Sequence, residues 1–136
     1  MSTKKTKAPG PRKLRELVYS ALSDAKALDV TMLDVRAIAD FTDYMVICTG
    51  TSNRHVQSVA DKLIDKLRDA GRKPVGVEGE AVGDWVLIDF GDIVVHVMRQ
   101  QIRDFYNLEK LWSEGKRVRL GPAKPRATKA AAAKAT

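Results

Sequence analysis

Tyr44-Met45-Val46-Ile47-Cys48-Thr49 is a nearly unbroken apolar run of strand length, and Gly50-Thr51-Ser52-Asn53 follows it directly. A run without alternation suits a strand buried on both faces, the signature of an α/β sheet rather than of a half-exposed one. Glycine breaks the strand, and Ser52 or Asn53 then supplies an oxygen to cap a helix. That helix carries Val56, Val59, Ala60, Leu63, Ile64 and Leu67 on one stripe and stops at Ala70-Gly71.

Outward from this strand and helix, the same periodicities place the remaining elements. Toward the N-terminus, Leu14, Leu17, Val18, Ala21, Leu22, Ala25 and Leu28 recur at helical spacing, and 29–35 reads as a short strand. Toward the C-terminus come a short strand at 74–77, strands at 85–89 and 93–98, and a helical piece containing Phe105, Leu108 and Trp112. The order is αββαβββα. Neighbouring strands joined by short turns run antiparallel, so the expected fold is a single α/β domain with a mixed sheet and flanking helices.

With Phe90-Gly91 as the tight turn, Asp89 opposes Asp92, Ile88 opposes Ile93, Leu87 opposes Val94, Val86 opposes Val95 and Trp85 opposes His96. One side is then Val86, Ile88, Ile93 and Val95, plainly core. The other holds Trp85, Leu87, Val94, His96 and Met98, with Asp89 and Asp92 at its end. Two readings of this second face stay open: a helix covers it as a second core, or it remains partly open as a protein-binding patch. An open Trp85 predicts that Trp85→Ala weakens binding and spares stability, whereas a core Trp85 predicts that stability collapses. His96 by itself reads as a packed, hydrogen-bonded histidine rather than a base. In the stretch from Arg103 to Trp112, Phe105, Leu108 and Trp112 are expected to face the core, with Arg103 and Tyr106 at the surface.

The formal charge of +7 divides unevenly. Residues 1–13 hold five basic side chains and 116–136 hold seven, with no carboxylate in either. All 17 carboxylates lie in 14–115, against 12 basic residues, so that segment carries −5. The chain thus reads as an acidic domain, 14–115, between two basic tails too poor in apolar residues to order themselves. Such tails serve solubility or attract RNA phosphate. Cys48 is the only cysteine, so no internal disulfide forms and a reducing cytoplasm is the expected setting. No apolar run approaches the roughly 18 residues that a spanning helix needs.

His55 and His96 lack metal-ligand spacing, and neither a GxxxxGK[ST] loop nor a GxGxxG fingerprint is present. The strand-to-helix turn Thr49-Gly50-Thr51-Ser52 does offer small residues and amides where an anion could bind, as in nucleotidyltransferases. Those enzymes also need paired carboxylates for magnesium, and Asp89 and Asp92 flank a turn instead. A nucleotide-binding enzyme using Gly50–Ser52, and a general RNA-binding module acting through the tails, are the alternatives to a protein-binding factor.

Read together, several segments resemble the ribosomal silencing factor family, also called RsfS or Iojap. They are Cys48-Thr49-Gly50-Thr51-Ser52 with Arg54-His55-Val56, Gly76-Val77-Glu78-Gly79, Asp84 to Asp89, Gly91 to Val97, and Arg103-Asp104-Phe105-Tyr106-Asn107-Leu108-Glu109-Lys110-Leu111-Trp112. The resemblance implies a nucleotidyltransferase-like sandwich without a working catalytic set, and no cofactor or metal. It implies a factor that binds the large ribosomal subunit through ribosomal protein L fourteen and sterically blocks joining of the small subunit during starvation or stationary phase. Self-association of the free protein is also implied; the basic tails are not part of the shared pattern, and contact with neighbouring rRNA is expected of them on charge alone. By position, the partner-binding residues it implies are Trp85, Leu87, Asp89, His96, Arg103, Tyr106 and Trp112. Phe90 stands where the family commonly has tyrosine.

Overall fold

A computed structural model describes residues 10–118. Helix α1 (Pro11–Asp24) begins behind Gly10, with Pro11 at a first-turn position where its missing N–H costs nothing. Strands β1 (Leu28–Asp34) and β2 (Tyr44–Gly50) follow, then helix α2 (Asn53–Asp69). Next come β3 (Gly76–Glu78), β4 (Trp85–Asp89), β5 (Ile93–Arg99), the short helices α3 (Gln100–Tyr106) and α4 (Leu108–Leu111), and β6 (Lys116–Arg117).

The strands form one six-stranded mixed sheet in the order β3-β4-β5-β2-β1-β6. Only β2 and β5 pair in parallel, in the middle, and all seven residues of β2 are buried. The apolar run of β2 is therefore explained by its place: layers cover it on both sides. On one face, α1 and α2 pack Leu14, Val18, Leu22, Val56, Val59 and Leu63 onto Val46, Cys48, Val86, Ile88, Val95 and Val97. On the other, Leu33, Val35, Met45, Ile47 and Met98 meet Ala39, Trp85, Ile102, Leu108 and Trp112. Burial holds the Cys48 thiol protonated, pushed up to about 12.

Two expected boundaries shift. The helix starts at Pro11, so 11–13 belong to the domain, and β6 takes Lys116 and Arg117 out of the tail by pairing them with Asp34 and Leu33 on β1. The rest of both tail assignments lies outside the described residues. The 85–98 hairpin also closes differently. Asp89 opposes Val94, Ile88 opposes Val95, Leu87 opposes His96, Val86 opposes Val97 and Trp85 opposes Met98. Gly91 has φ +94°, and the Phe90 N–H donates to the Ile93 carbonyl at 2.8 Å, so Gly91-Asp92 is the tight turn rather than Phe90-Gly91. This moves the register by two residues. A shift of two preserves which side chains share a face, so the two sides of the hairpin stay as read.

Candidate functional site

The second face of the sheet is covered only in part. Helices α3 and α4 cap its β1, β2 and β5 portion through Ile102, Leu108 and Trp112, while toward β4 the face reaches solvent. One end of this face is therefore a small core, and the other is an aromatic surface open to solvent.

Trp85 stands at the boundary, half-buried. Its indole N–H donates to His96 Nδ1 at 3.0 Å, and its ring lies 4.9 Å from the Tyr106 ring, centroid to centroid. Tyr106 meets Phe105 edge to face, also at 4.9 Å. Phe105 is 79% exposed and Tyr106 53%, so the group presents a large apolar area to water. Leu87, half-buried, lies beside His96 on the same side. At the other end of the covering helices, Phe41 (60% exposed) packs edge to face on Trp112 at 5.7 Å, and Leu111 is exposed.

Beneath this surface lie two polar side chains. His96 is 6% exposed, and desolvation lowers its pKa to about 4, so the ring is neutral. Because Nδ1 accepts from Trp85, the proton sits on Nε2, which has no hydrogen-bond partner among the described residues. Arg103 is also 6% exposed, contrary to its expected place at the surface. Its guanidinium donates to both carboxylate oxygens of Glu109 (3.0 and 2.7 Å), to the Asp29 carbonyl (2.9 Å), and to Thr49 Oγ1 (2.8 Å). This ties α3, α4, β1 and β2 together, and the hydrogen bond from Arg103 holds the Glu109 carboxyl below its usual range.

Phe105, expected in the core, is instead the most exposed of these aromatics. The cause is Asn107, whose left-handed φ of +47° ends α3, while its side-chain oxygen caps α4 by accepting from the Lys110 N–H. Periodicity counted through Asn107 from Phe105 to Trp112 follows a helix that does not exist. Phe41, Phe105 and Leu111 were accordingly missed as surface candidates, although Asn followed by a charged first turn is the signal of a new cap. Trp85, Leu87 and Tyr106 lie together on this surface with His96 buried beside Trp85, whereas Trp112 stands at the other end of the covering helices against Phe41, and Arg103 is buried against Glu109, Thr49 and the Asp29 carbonyl. Asp89 sits at the β4 end, where Oδ1 accepts from the Gly91 N–H at 2.7 Å.

At the Gly50–Ser52 turn, the Thr51 amide and the first capped amides of α2 are engaged within the chain. The Thr51 N–H donates to His55 Nδ1 (2.9 Å), the His55 N–H to Ser52 Oγ (3.0 Å), and the Val56 N–H to the Ser52 carbonyl (2.9 Å). A Cβ on Gly50 would sit 2.6 Å from Val56 Cγ2, so glycine here serves close helix-to-strand approach. Asp92 is held by Arg72 at 2.6 Å and not by a second carboxylate. Among the described residues no group of three or more His, Cys, Asp or Glu is placed to hold a metal, and no helix is long and apolar enough to cross a membrane.

Against known proteins, residues 8–136 match the family model described as ribosomal silencing factor during starvation. The chain belongs to the ribosomal silencing factor family. The match runs through the basic C-terminal tail, which the motifs carrying the resemblance do not reach. The chain is 42% identical over 100 residues to ribosomal silencing factor RsfS of Haemophilus influenzae, covering 74% of this chain and 98% of that protein. It is 35% identical over 101 residues to mouse mitochondrial assembly of ribosomal large subunit protein 1, covering 72% of this chain and 44% of that longer protein. A crystal structure of a Chromobacterium violaceum protein superposes with a TM-score of 0.76 at 36% identity, covering 87% of this chain and 98% of that one. Membership gives the chain a role in ribosome silencing, and its bacterial relatives are named as silencing factors rather than enzymes.

Proposed function

We propose that this protein binds the large ribosomal subunit in the cytoplasm through ribosomal protein L fourteen, and that its bulk then blocks docking of the small subunit without any chemical step. The observation that carries this reading is the solvent-facing group Trp85, Tyr106 and Phe105, with Leu87 beside it, in which His96 holds the Trp85 indole and Arg103 fastens α3 to α4, β1 and β2. Aromatic side chains on a fixed base are the residues from which interface hot spots are made. A contact centred there and burying about 800 Å² per partner is of standard size. The name of the mouse relative, which refers to the ribosomal large subunit, supports the choice of subunit. The same exposed rings would account for self-association of the free protein, and the basic tails for contact with neighbouring rRNA.

Trp85→Ala cannot test this cleanly. Trp85 packs against the small core and satisfies His96, so truncation removes stability and surface together. Phe105 and Tyr106 are the better probes. The double variant Phe105→Ser, Tyr106→Ala should unfold at nearly the same temperature as wild type yet lose co-sedimentation with large subunits, costing more than about 1 kcal/mol of binding. It should also fail to reduce whole-ribosome formation. Undiminished co-sedimentation of a folded double variant would overturn the assignment of this surface.

A further inference from the structure

Exposed apolar side chains are unevenly placed on the domain. Phe105, Tyr106 and Leu111 belong to α3 and α4, and Ile38 and Phe41 to the 35–43 loop between β1 and β2. They are five of the eight large apolar side chains exposed among the described residues, and they include every exposed aromatic ring.

Phe41 sits on a fastened loop. The Ile38 and Ala39 N–H groups both donate to the Val35 carbonyl, at 3.0 and 2.8 Å, and the Val35 N–H donates to the Asp43 carbonyl at 2.9 Å. Ala39 packs on the small core of the second sheet face, as do Trp112 and Trp85, so the two tryptophans flank one core under one helical cover. The edge-to-face contact of Phe41 with Trp112 therefore rests on the same base as the Trp85 and Tyr106 rings. An apolar group already held in place loses little freedom when a partner covers it.

Size decides how far a contact on Trp85 must reach. At about 200 Å² per aromatic side chain, Phe105 and Tyr106 leave roughly 250 Å² open between them. A standard contact of about 800 Å² per partner is a patch roughly 30 Å across. Helices α3 and α4 run from Gln100 to Leu111, a path of about 18 Å at the helical rise. A partner seated on Tyr106 with a standard footprint thus covers α4 and meets Leu111, Trp112 and Phe41. The exposed Val82 does not compete as the direction of growth. Its carbonyl accepts from Asn53 Nδ2 at 2.8 Å and that of Ala81 from Gln57 Nε2 at 3.2 Å, which ties their loop to α2 on the opposite sheet face.

Resting on the large-subunit reading, we propose that Phe41, Leu111 and Trp112 form a second anchor for the same protein partner. One footprint then runs from Phe105 across α3 and α4 to the 35–43 loop. The partner surface that fits is apolar opposite both aromatic groups and polar between them, where Asn107 and Lys110 are exposed.

The test is co-sedimentation of the full chain with large subunits, titrated to give an affinity for wild type and three double variants. Phe41→Ser, Leu111→Ser should bind at least about tenfold more weakly while unfolding near the wild-type temperature. Val75→Ser, Val82→Ser changes exposed apolar residues outside the footprint and should bind within about twofold of wild type. In wild type, amide hydrogen exchange across 38–43 and 108–112 should slow when large subunits are added, a readout that needs no variant to fold. Suppose Phe105→Ser, Tyr106→Ala loses binding while Phe41→Ser, Leu111→Ser keeps it and exchange at 38–43 is unchanged. The second anchor is then overturned and the large-subunit reading stands. Failure of wild type to bind would overturn both. If Phe41→Ser, Leu111→Ser spares subunit binding but abolishes self-association in sedimentation velocity, the patch joins two copies of the chain and the proposal fails.

Discussion

His96 and Arg103 show how single polar residues fix the candidate surface from beneath. Desolvation lowers the His96 pKa from 6.5 to about 4, so the unfolded chain takes up a proton in that interval and the folded one does not. Its contribution is therefore complete above pH 6.5 and is lost as pH falls toward 4, a difference of up to about 3 kcal/mol. The imidazole resonances of His96 should stay those of a neutral ring from pH 8 down to 5, and the urea midpoint should fall across that window. A His96 titrating near 6.5 in the folded protein would contradict this. Glu109 acts in the same direction at lower pH, since its hydrogen bond from Arg103 is lost on protonation. For Arg103, Arg103→Met strands the half-buried Glu109 and leaves Thr49 and the Asp29 carbonyl unpaired, so thermal unfolding should report a loss of about 3 kcal/mol. Arg103→Lys should recover little, because one ammonium cannot replace a planar fork reaching four acceptor oxygens on three residues.

Among the elements, the α3–α4 break decides what the surface contains. Asn107 supplies both a left-handed backbone and a cap, and Asn107→Ala forfeits both. Unfolding should show a cost of about 1–3 kcal/mol, of which Asn107→Gly recovers the backbone part. The element scale also shows where sequence reasoning worked. The β2 run, the α2 stripe and the two sides of the 85–98 hairpin were legible because burial imposes a period on the residues themselves. The hairpin register was not, since it depends on which turn residue takes positive φ, and Phe90-Gly91 and Gly91-Asp92 differ by one position. Strand β6 is two residues long and polar, held by pairing with β1 rather than by any pattern of its own.

At the scale of the whole molecule, the basic residues of 1–9 and 119–136 lie outside the stretches that supply the two cores. Neutralising the tails should therefore leave folding intact. Changing the lysines and arginines of 1–9 and 119–136 to Gln should move stability by less than about 0.5 kcal/mol in urea unfolding, whatever it does to binding. A larger shift would mean that the tails pack on the domain. The sequence alone determined the α/β class, the doubly covered central strand, the uneven charge and the family resemblance, all of which are written in local period or in composition. Only the tertiary structure decided that Arg103 is buried and Phe105 exposed, that the second sheet face is half core and half surface, and that Lys116 and Arg117 pair with β1. These facts depend on one backbone dihedral at Asn107 and on pairing between residues far apart in the chain, which no local pattern encodes.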